Sequence, residues 1–505
     1  MQVLLLGLFV AIYLHDATTG VELVSGGEVI GFAEATPDDR WPMLGLVPVL
    51  LIVLIPKFAV AMLYAATCRI TRHKLGTRSG QRWLNRLEAM TVALPLLLLG
   101  LFLIDMGSGA LRHLRVAFTQ TVLIDEVLVM LPTLAVATFA WAAYYPVDRR
   151  LREALILRDA DAGRPLYPLL SRGGYVLMQL RHQFGLLLLP LLAVFAWSEL
   201  LVILGPDHGG PLNRAAVTVL SPLGVLAVFI GAPLVIRYVW QTVPLPRGEV
   251  RDRMTLLCEQ HNVRVRELLL WQTSGRTVNA AVTGLVGRVR FILLSDALLD
   301  QLDPRSVEAV MAHELAHVKC KHLVWMALVV LAAIGTSELI ITRVYDGLLE
   351  ALAWEPLAMQ RDVFVANVNM SHPDIRMLVI TLPAFAIALV IFGWVSRRIE
   401  RQADVFAVRH LAMNADEKHM DVKGRHCFDE ASIATMVHAL QRVAVLNHAP
   451  TARKSWRHGS IAWRQNHLRS LEGTPIDAAG IDRQLAKVKV ATLLGVTITA
   501  AFYLT

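Results

Sequence analysis

The stretch AVMAHELAHVKCKH at residues 309–322 sets His313 and His317 four residues apart, with Glu314 between them. On a helix that spacing places both imidazoles on one face, about one turn apart, so that two ring nitrogens can bind one zinc ion. Glu314 follows the first histidine and can reach a water on the metal without being a ligand itself. A catalytic zinc needs a third protein ligand and an open fourth position. The pattern HExxHxxGxxH would require a glycine at Cys320 and a histidine at Leu323, so it fails here, and the nearby His322 reads as an interfacial residue. A better partner lies in SRRIERQADVFAVRH at 396–410, where Glu400 and Asp404 again stand four apart. A carboxylate ligand with a second acid one turn on can bind zinc and orient a ligating imidazole. The competing reading is structural: a polar helix end whose histidines meet lipid headgroups, and an exposed amphipathic helix of paired Arg and Glu.

These stretches sit in a chain of 505 residues that is 55% hydrophobic and 18% charged, with a mean hydropathy of +0.51. Runs of roughly 20 predominantly apolar residues can span a bilayer. Such runs occupy residues 43–66, 89–104, 127–145, 184–204, 215–236, 323–342 and 377–395, with a shorter one at 490–504. The opening MQVLLLGLFVAIYL has no Lys or Arg before it and reads as a marginal span rather than a cleaved signal. Lys57, Glu199 and Glu338 fall within spans; Lys57 either snorkels or faces the bundle interior. The formal net charge of +8 is concentrated in loops between apolar runs. It therefore points to membrane orientation rather than to nucleic acid, for which no aromatic–basic interleaving is present. The loops at 67–88 and 146–183 are rich in Lys and Arg while those at 105–126 and 205–214 are poor, which places the rich ones in the cytoplasm. By the same count the segment 243–322 is cytoplasmic and the acidic stretch 15–41 lies outside. Cys68, Cys258, Cys320 and Cys427 are far apart and form no CxxC pair, so neither a disulfide framework nor a cysteine zinc cluster is indicated.

The organisation that follows is an N-terminal multi-span region at 1–242, a polar segment at 243–322, a transmembrane hairpin at 323–395, a second polar segment at 396–488 and a short closing span at 489–505. RELLLWQ, VNAAVTGL and RFILLS read as strands, and Asp303 followed by Pro304 reads as the N-cap and first position of the helix that carries the histidines. The second polar segment reads as helical, with a poorly patterned basic stretch near 446–460. Two spans separate His317 from Glu400, an even number, so both emerge on the same side of the membrane. The expected fold is mainly α: a polytopic helical membrane protein with an α+β catalytic domain of zincin type, split by the hairpin.

HELAH, the later SRxxExxAD and the intervening hairpin resemble the HtpX / CAAX prenyl protease (Ste24-like) family of integral-membrane zinc metallopeptidases. VNAAVTG is similar to that family's NAxxxG strand and RHGSIAWRQ to its HPxxxxR segment, with Gly459 where the family usually has proline. The resemblance covers roughly residues 250–475 less the hairpin, and the N-terminal half has no counterpart in it. It implies that His313, His317 and Glu400 bind one Zn2+ per chain, that Glu314 is general base and then acid, and that Asp404 holds a ligating histidine. It further implies that His458 helps to stabilise an oxyanion, that Arg464 supports that corner, and that Asn279, Ala280 and Gly284 mark a strand that pairs with the substrate backbone. The implied activity is cleavage of membrane-associated or misfolded proteins at the cytoplasmic face. Removal of a C-terminal tripeptide from prenylated proteins and a sensor that clips a cytoplasmic regulator are the alternatives. A transporter or scaffold retaining a degenerate peptidase domain is a third class, against which the intact His313, Glu314, His317 and Glu400 count. No LDG or GxGD accompanies the motifs, which excludes the corresponding intramembrane proteases.

Overall fold

The computed structural model describes residues 21–25, 28–33, 45–107, 110, 113–114, 118, 121–161, 163, 166–206, 209–351, 373–415, 420–421, 423–447 and 449–504. The predicted marginal span at 1–14 lies outside them, and of the acidic stretch at 15–41 they include only an antiparallel hairpin, β1 (Val21–Ser25) and β2 (Glu28–Ala33). The chain divides into two compact units, Met1–Gln241 and Thr242–Thr505.

The first unit is helical: α1 (Leu46–Lys74), α2 (Gly80–Gly107), α3 (Ile124–Asp161), α4 (Arg172–Leu180), α5 (Leu186–Leu204) and α6 (Arg214–Val239). Four of these, α1, α2, α3 and α6, are long and apolar enough to cross a membrane. Helices α4 and α5 meet through a π-turn at Arg181–Gly185 and bend by 51°, the geometry of a broken span or of a re-entrant loop. Helices α1, α2 and α3 pack around Tyr64, Cys68, Leu87, Ala137 and Ala140. Lys57 is buried inside this bundle and pairs with Asp105, which also accepts from Thr133 Oγ1 at 3.2 Å. Of the two readings open for Lys57, it faces the interior. An ammonium in an apolar bundle is tolerated only where a carboxylate neutralises it.

The second unit begins with β3 (Thr242–Pro244), α7 (Glu249–Gln260), β4 (Glu267–Trp271), β5 (Ala280–Thr283), β6 (Phe291–Ser295) and α8 (Asp296–Gln301). The four strands make one sheet in the order β3-β4-β6-β5. The central strand, FILLS, is buried at all five positions, as expected for an unalternating apolar run covered on both faces. It runs parallel to β4 and antiparallel to β5, which forms an outer edge of the sheet. Neither β3, helix α7 nor the parallel pairing was predicted.

Five longer helices and one short one follow: α9 (Pro304–Lys319), α10 (His322–Ala351), α11 (Pro373–Met413), α12 (Glu430–Leu446), α13 (Ile461–Arg469) and α14 (Gly480–Leu504). Helix α9 buries Ala309, Met311, Ala312, Leu315 and Ala316 against β5, α11 and α12. It ends at Cys320, and Lys321 turns the chain into α10 with a left-handed φ of 54°. The site-bearing helix and the following span are thus joined by two residues. Helix α11, of 41 residues, contains both the apolar run at 377–395 and the motif at 396–410 without a break. At 1.5 Å per residue it is about 60 Å long, twice the hydrocarbon thickness. The apolar run at 490–504 is the end of α14, which packs on α10 and α11 and starts ten residues earlier.

Asp303 caps α9, its Oδ1 accepting from the Ser306 N–H at 2.9 Å, with Pro304 in the first turn as the sequence indicates. Burial pushes its carboxyl up, but the hydrogen bonds with Ser306 outweigh this and hold it below the usual carboxylate range. A group with a depressed folded pKa contributes stability above its unfolded value and loses it as pH falls through the folded one. Asp303→Ala is therefore expected to cost about 1 kcal/mol at pH 7. Melting in detergent as a function of pH should show the difference from wild type shrinking below about pH 4.

Candidate metal centre and active site

His313 and His317 project from one face of α9, as their spacing requires. Their Nε2 atoms lie 3.4 Å apart, with the rings edge-to-face at a centroid distance of 5.1 Å. Glu400, on α11, meets them: Oε2 is 3.6 Å from His313 Nε2 and Oε1 is 3.9 Å from His317 Nε2. Ligands about 2.1 Å from a tetrahedral ion are separated by about 3.4 Å. Two nitrogens and one carboxylate at 3.4–3.9 Å therefore fit a single small dication, and the chemistry of the set, two imidazoles and a carboxylate, suits zinc.

One turn along α11, Asp404 Oδ1 stands 3.0 Å from His313 Nδ1. Asp404 is in turn gripped by Arg464, at the middle of α13, through Nε–Oδ2 at 2.7 Å and Nη2–Oδ1 at 2.5 Å. Arg464 Nη1 also reaches Glu400 Oε2 at 3.3 Å. All three side chains are buried. Burial alone would raise both carboxyls, but Arg464 holds Asp404 below its usual range, and His458 and Arg464 hold Glu400 well below. Glu314 has no such bidentate partner, and desolvation pushes it up to about 7. His317 goes the other way: desolvation, with His313 beside it, lowers it to about 3, leaving a neutral imidazole whose lone pair is available.

His458 lies opposite, half exposed, with Nδ1 2.9 Å from Glu400 Oε1. A tight turn presents it: Ser455 N–H donates to Gly459 O at 3.2 Å and Gly459 N–H returns to Ser455 O at 3.0 Å. Gly459 has φ +72°, and a Cβ there would stand 2.8 Å from the Trp463 ring. Proline could neither adopt that φ nor donate that hydrogen bond, so the departure from the HPxxxxR pattern belongs to this turn. The turn is tied to α11 by Arg397 Nη1 donating to Trp456 O at 2.8 Å, a link across 59 residues that spacing does not reveal.

Asn279 and Gly284 flank β5, which contains Ala280. Ser295 N–H donates to Asn279 O at 3.0 Å, so Asn279, Ala281 and Thr283 bond inward to β6 and the backbones of Val278, Ala280, Val282 and Gly284 face the open edge. Asn447, at the end of α12, takes up Val278: its Oδ1 accepts from the N–H at 3.1 Å and its Nδ2 donates to the carbonyl at 2.8 Å. Gly284, at φ +104°, gives its carbonyl to Arg290 Nε at 3.1 Å, and a Cβ there would meet Val289 O at 2.5 Å. The open length of edge is thus Ala280–Thr283, beside helix α9. His322, read as interfacial, is instead only 3% exposed, with Nδ1 3.0 Å from His317 Nδ1. The turn at Lys321 folds it back under the histidine pair rather than out towards headgroups.

Residues 245–455 match the sequence pattern of Peptidase family M48. The chain is 30% identical over 130 residues to the protease HtpX of Xylella fastidiosa strain M12, covering 26% of this chain and 42% of that protein. It is 26% identical over 283 residues to the protease HtpX of Legionella pneumophila, covering 54% of this chain and 95% of that protein. To the CAAX prenyl protease 1 homolog of Arabidopsis thaliana it is 27% identical over 228 residues, covering 41% of this chain and 50% of that protein. The chain therefore spans less than half the length of the Xylella relative. The matched segment contains the two histidines of α9, Glu400 and Asp404 within the fold described above, and ends before His458 and Arg464. Residues 245–455 thus carry the sequence pattern of Peptidase family M48, in an integral membrane protein that is similar over part of its length to HtpX proteases and to the CAAX prenyl protease 1 homolog.

Proposed function

We propose that this chain is a zinc metalloendopeptidase acting on membrane-associated or misfolded proteins at the cytoplasmic face. The observation that carries the reading is the convergence of His313 Nε2, His317 Nε2 and the Glu400 carboxylate at separations suited to one tetrahedral dication. A zinc ion held there supplies Lewis acidity towards a peptide carbonyl and a water. Glu314, next to His313 on α9, would take a proton from the attacking water and return it to the leaving amine. Asp404 holds the Nδ1 side of His313, and Arg464 keeps Asp404 ionised and, together with His458, Glu400. His458, half exposed beside Glu400, is the group available to hydrogen-bond negative charge developing on the carbonyl oxygen. Ala280 and Val282 present their backbone groups at the open edge of β5, so a substrate strand would pair there, between the stops set by Asn447 and Arg290. The Lys- and Arg-rich loops support a cytoplasmic orientation.

Zinc content and proteolysis in detergent test this reading. Wild type is expected to hold one zinc per chain and to cleave an unfolded protein. His317→Ala should lose the metal. Glu314→Gln should keep the metal while its turnover falls about 10²- to 10⁴-fold. A well-folded wild type without zinc would sink the proposal. Cleavage of a prenylated peptide in preference to an unfolded protein would instead select processing of prenylated proteins, in keeping with the Arabidopsis relative's name as a CAAX prenyl protease 1 homolog.

A further inference from the structure

The hydrogen bonds behind His317 can run in one direction only. Arg409, which is always protonated, donates from Nη2 to Asp482 Oδ2 at 3.0 Å. A carboxylate only accepts, so the group 2.6 Å from Asp482 Oδ1 is the Gln402 amide, Nε2. That turns Gln402 Oε1 towards His322, 2.9 Å from Nε2, and obliges His322 to donate there. Buried between an amide and another histidine, His322 is a neutral imidazole with a single N–H. Its Nδ1 is then an acceptor, and it lies 3.0 Å from His317 Nδ1, which must donate. The His317 lone pair is thereby left on Nε2, the atom that faces His313 Nε2 and Glu400.

We propose that His322, Gln402 and Asp482 are positioning residues that fix the tautomer and ring orientation of His317 for metal binding. This rests on the reading of His317 as a zinc ligand. The two histidines of the centre are then held in different ways: His313 by a carboxylate, and His317 by an imidazole and an amide that pass the constraint to Asp482. Asp482 stands in the first turn of α14, so the seating of that C-terminal helix on α10 and α11 is felt at the metal. The contacts reach across 80 residues in sequence at each of two steps; Gln402 occupies an unspecified position of SRxxExxAD and Asp482 lies outside the motifs.

Zinc affinity of the purified full chain, measured by competition with a chelator, tests the relay, with melting of each chelator-stripped protein as the measure of folding. His322→Leu is expected to weaken zinc binding about 10- to 100-fold, and Gln402→Leu to weaken it less. In His322→Asn the side-chain oxygen replaces the Nδ1 acceptor, and affinity should return towards wild type. The stripped variants should melt with stripped wild type. Equal affinity in His322→Leu and wild type would overturn the relay and leave the metal centre standing. So would an affinity in His322→Asn as weak as in His322→Leu. If His322→Leu does not fold, unchanged affinity in Gln402→Leu overturns the relay and a loss there supports it. A folded wild type that holds no zinc would overturn the metal centre itself.

Discussion

Two carboxylates buried one turn apart on the same helix, Glu400 and Asp404, set the electrostatic constraint on the second unit. Left to themselves, one of them would take up a proton, because like charges in a dry interior oppose each other's ionisation. Arg464 resolves this by gripping Asp404 with two hydrogen bonds and touching Glu400 with a third nitrogen. Its planar fork does this while staying charged, which a lysine in the same place would not do. With Asp404 ionised, His313 has an anionic partner for Nδ1; with Glu400 ionised, the cluster has an anionic donor for a dication. Glu314 lies outside the guanidinium's hydrogen bonds and is the carboxyl left with a pKa near 7.

The same constraint explains why the long helix α11 is unbroken where the sequence changes from apolar to charged. Glu400 must arrive at α9 with its depth and rotation fixed, and a helix packed along its apolar length against α10 and α14 fixes both. The site is built on rigid elements rather than loops, which favours accurate geometry. The exception is His458, carried on a turn that depends on a glycine with positive φ and on Arg397 for its tie to α11.

Much of the fold was legible in the sequence because its signals are local. The apolar runs at 43–66, 89–104, 127–145, 215–236 and 323–342 fall on helices long and apolar enough to cross a membrane, and Asp303–Pro304 marked the start of α9. RELLLWQ, VNAAVTGL and RFILLS, short apolar runs bounded by polar residues, marked three strands. Strand β3 has only three residues, too few to rise above the background, whereas α7 was missed although Val250, Met254, Leu257 and Cys258 stand at helical spacing. The parallel pairing of β4 with β6 could not be read either, since pairing partners are chosen by long-range packing.

For the candidate site, the sequence by itself determined what depends on helical periodicity: that His313 and His317 share a face and that Glu400 and Asp404 share a face. Tertiary structure alone decided what joins these faces. Arg464 was reached from the sequence only through a family resemblance, and its hold on two carboxylates came from folding. His322 was misread, because a left-handed turn at Lys321 reverses the direction expected of a polar residue at the start of a span. Gln402, Asp482 and Asn447 carried no signal, since a hydrogen bond between residues 80 or 169 positions apart leaves no trace in local spacing. Residue type and period fix which groups can face one way; only packing of the complete chain fixes what they face.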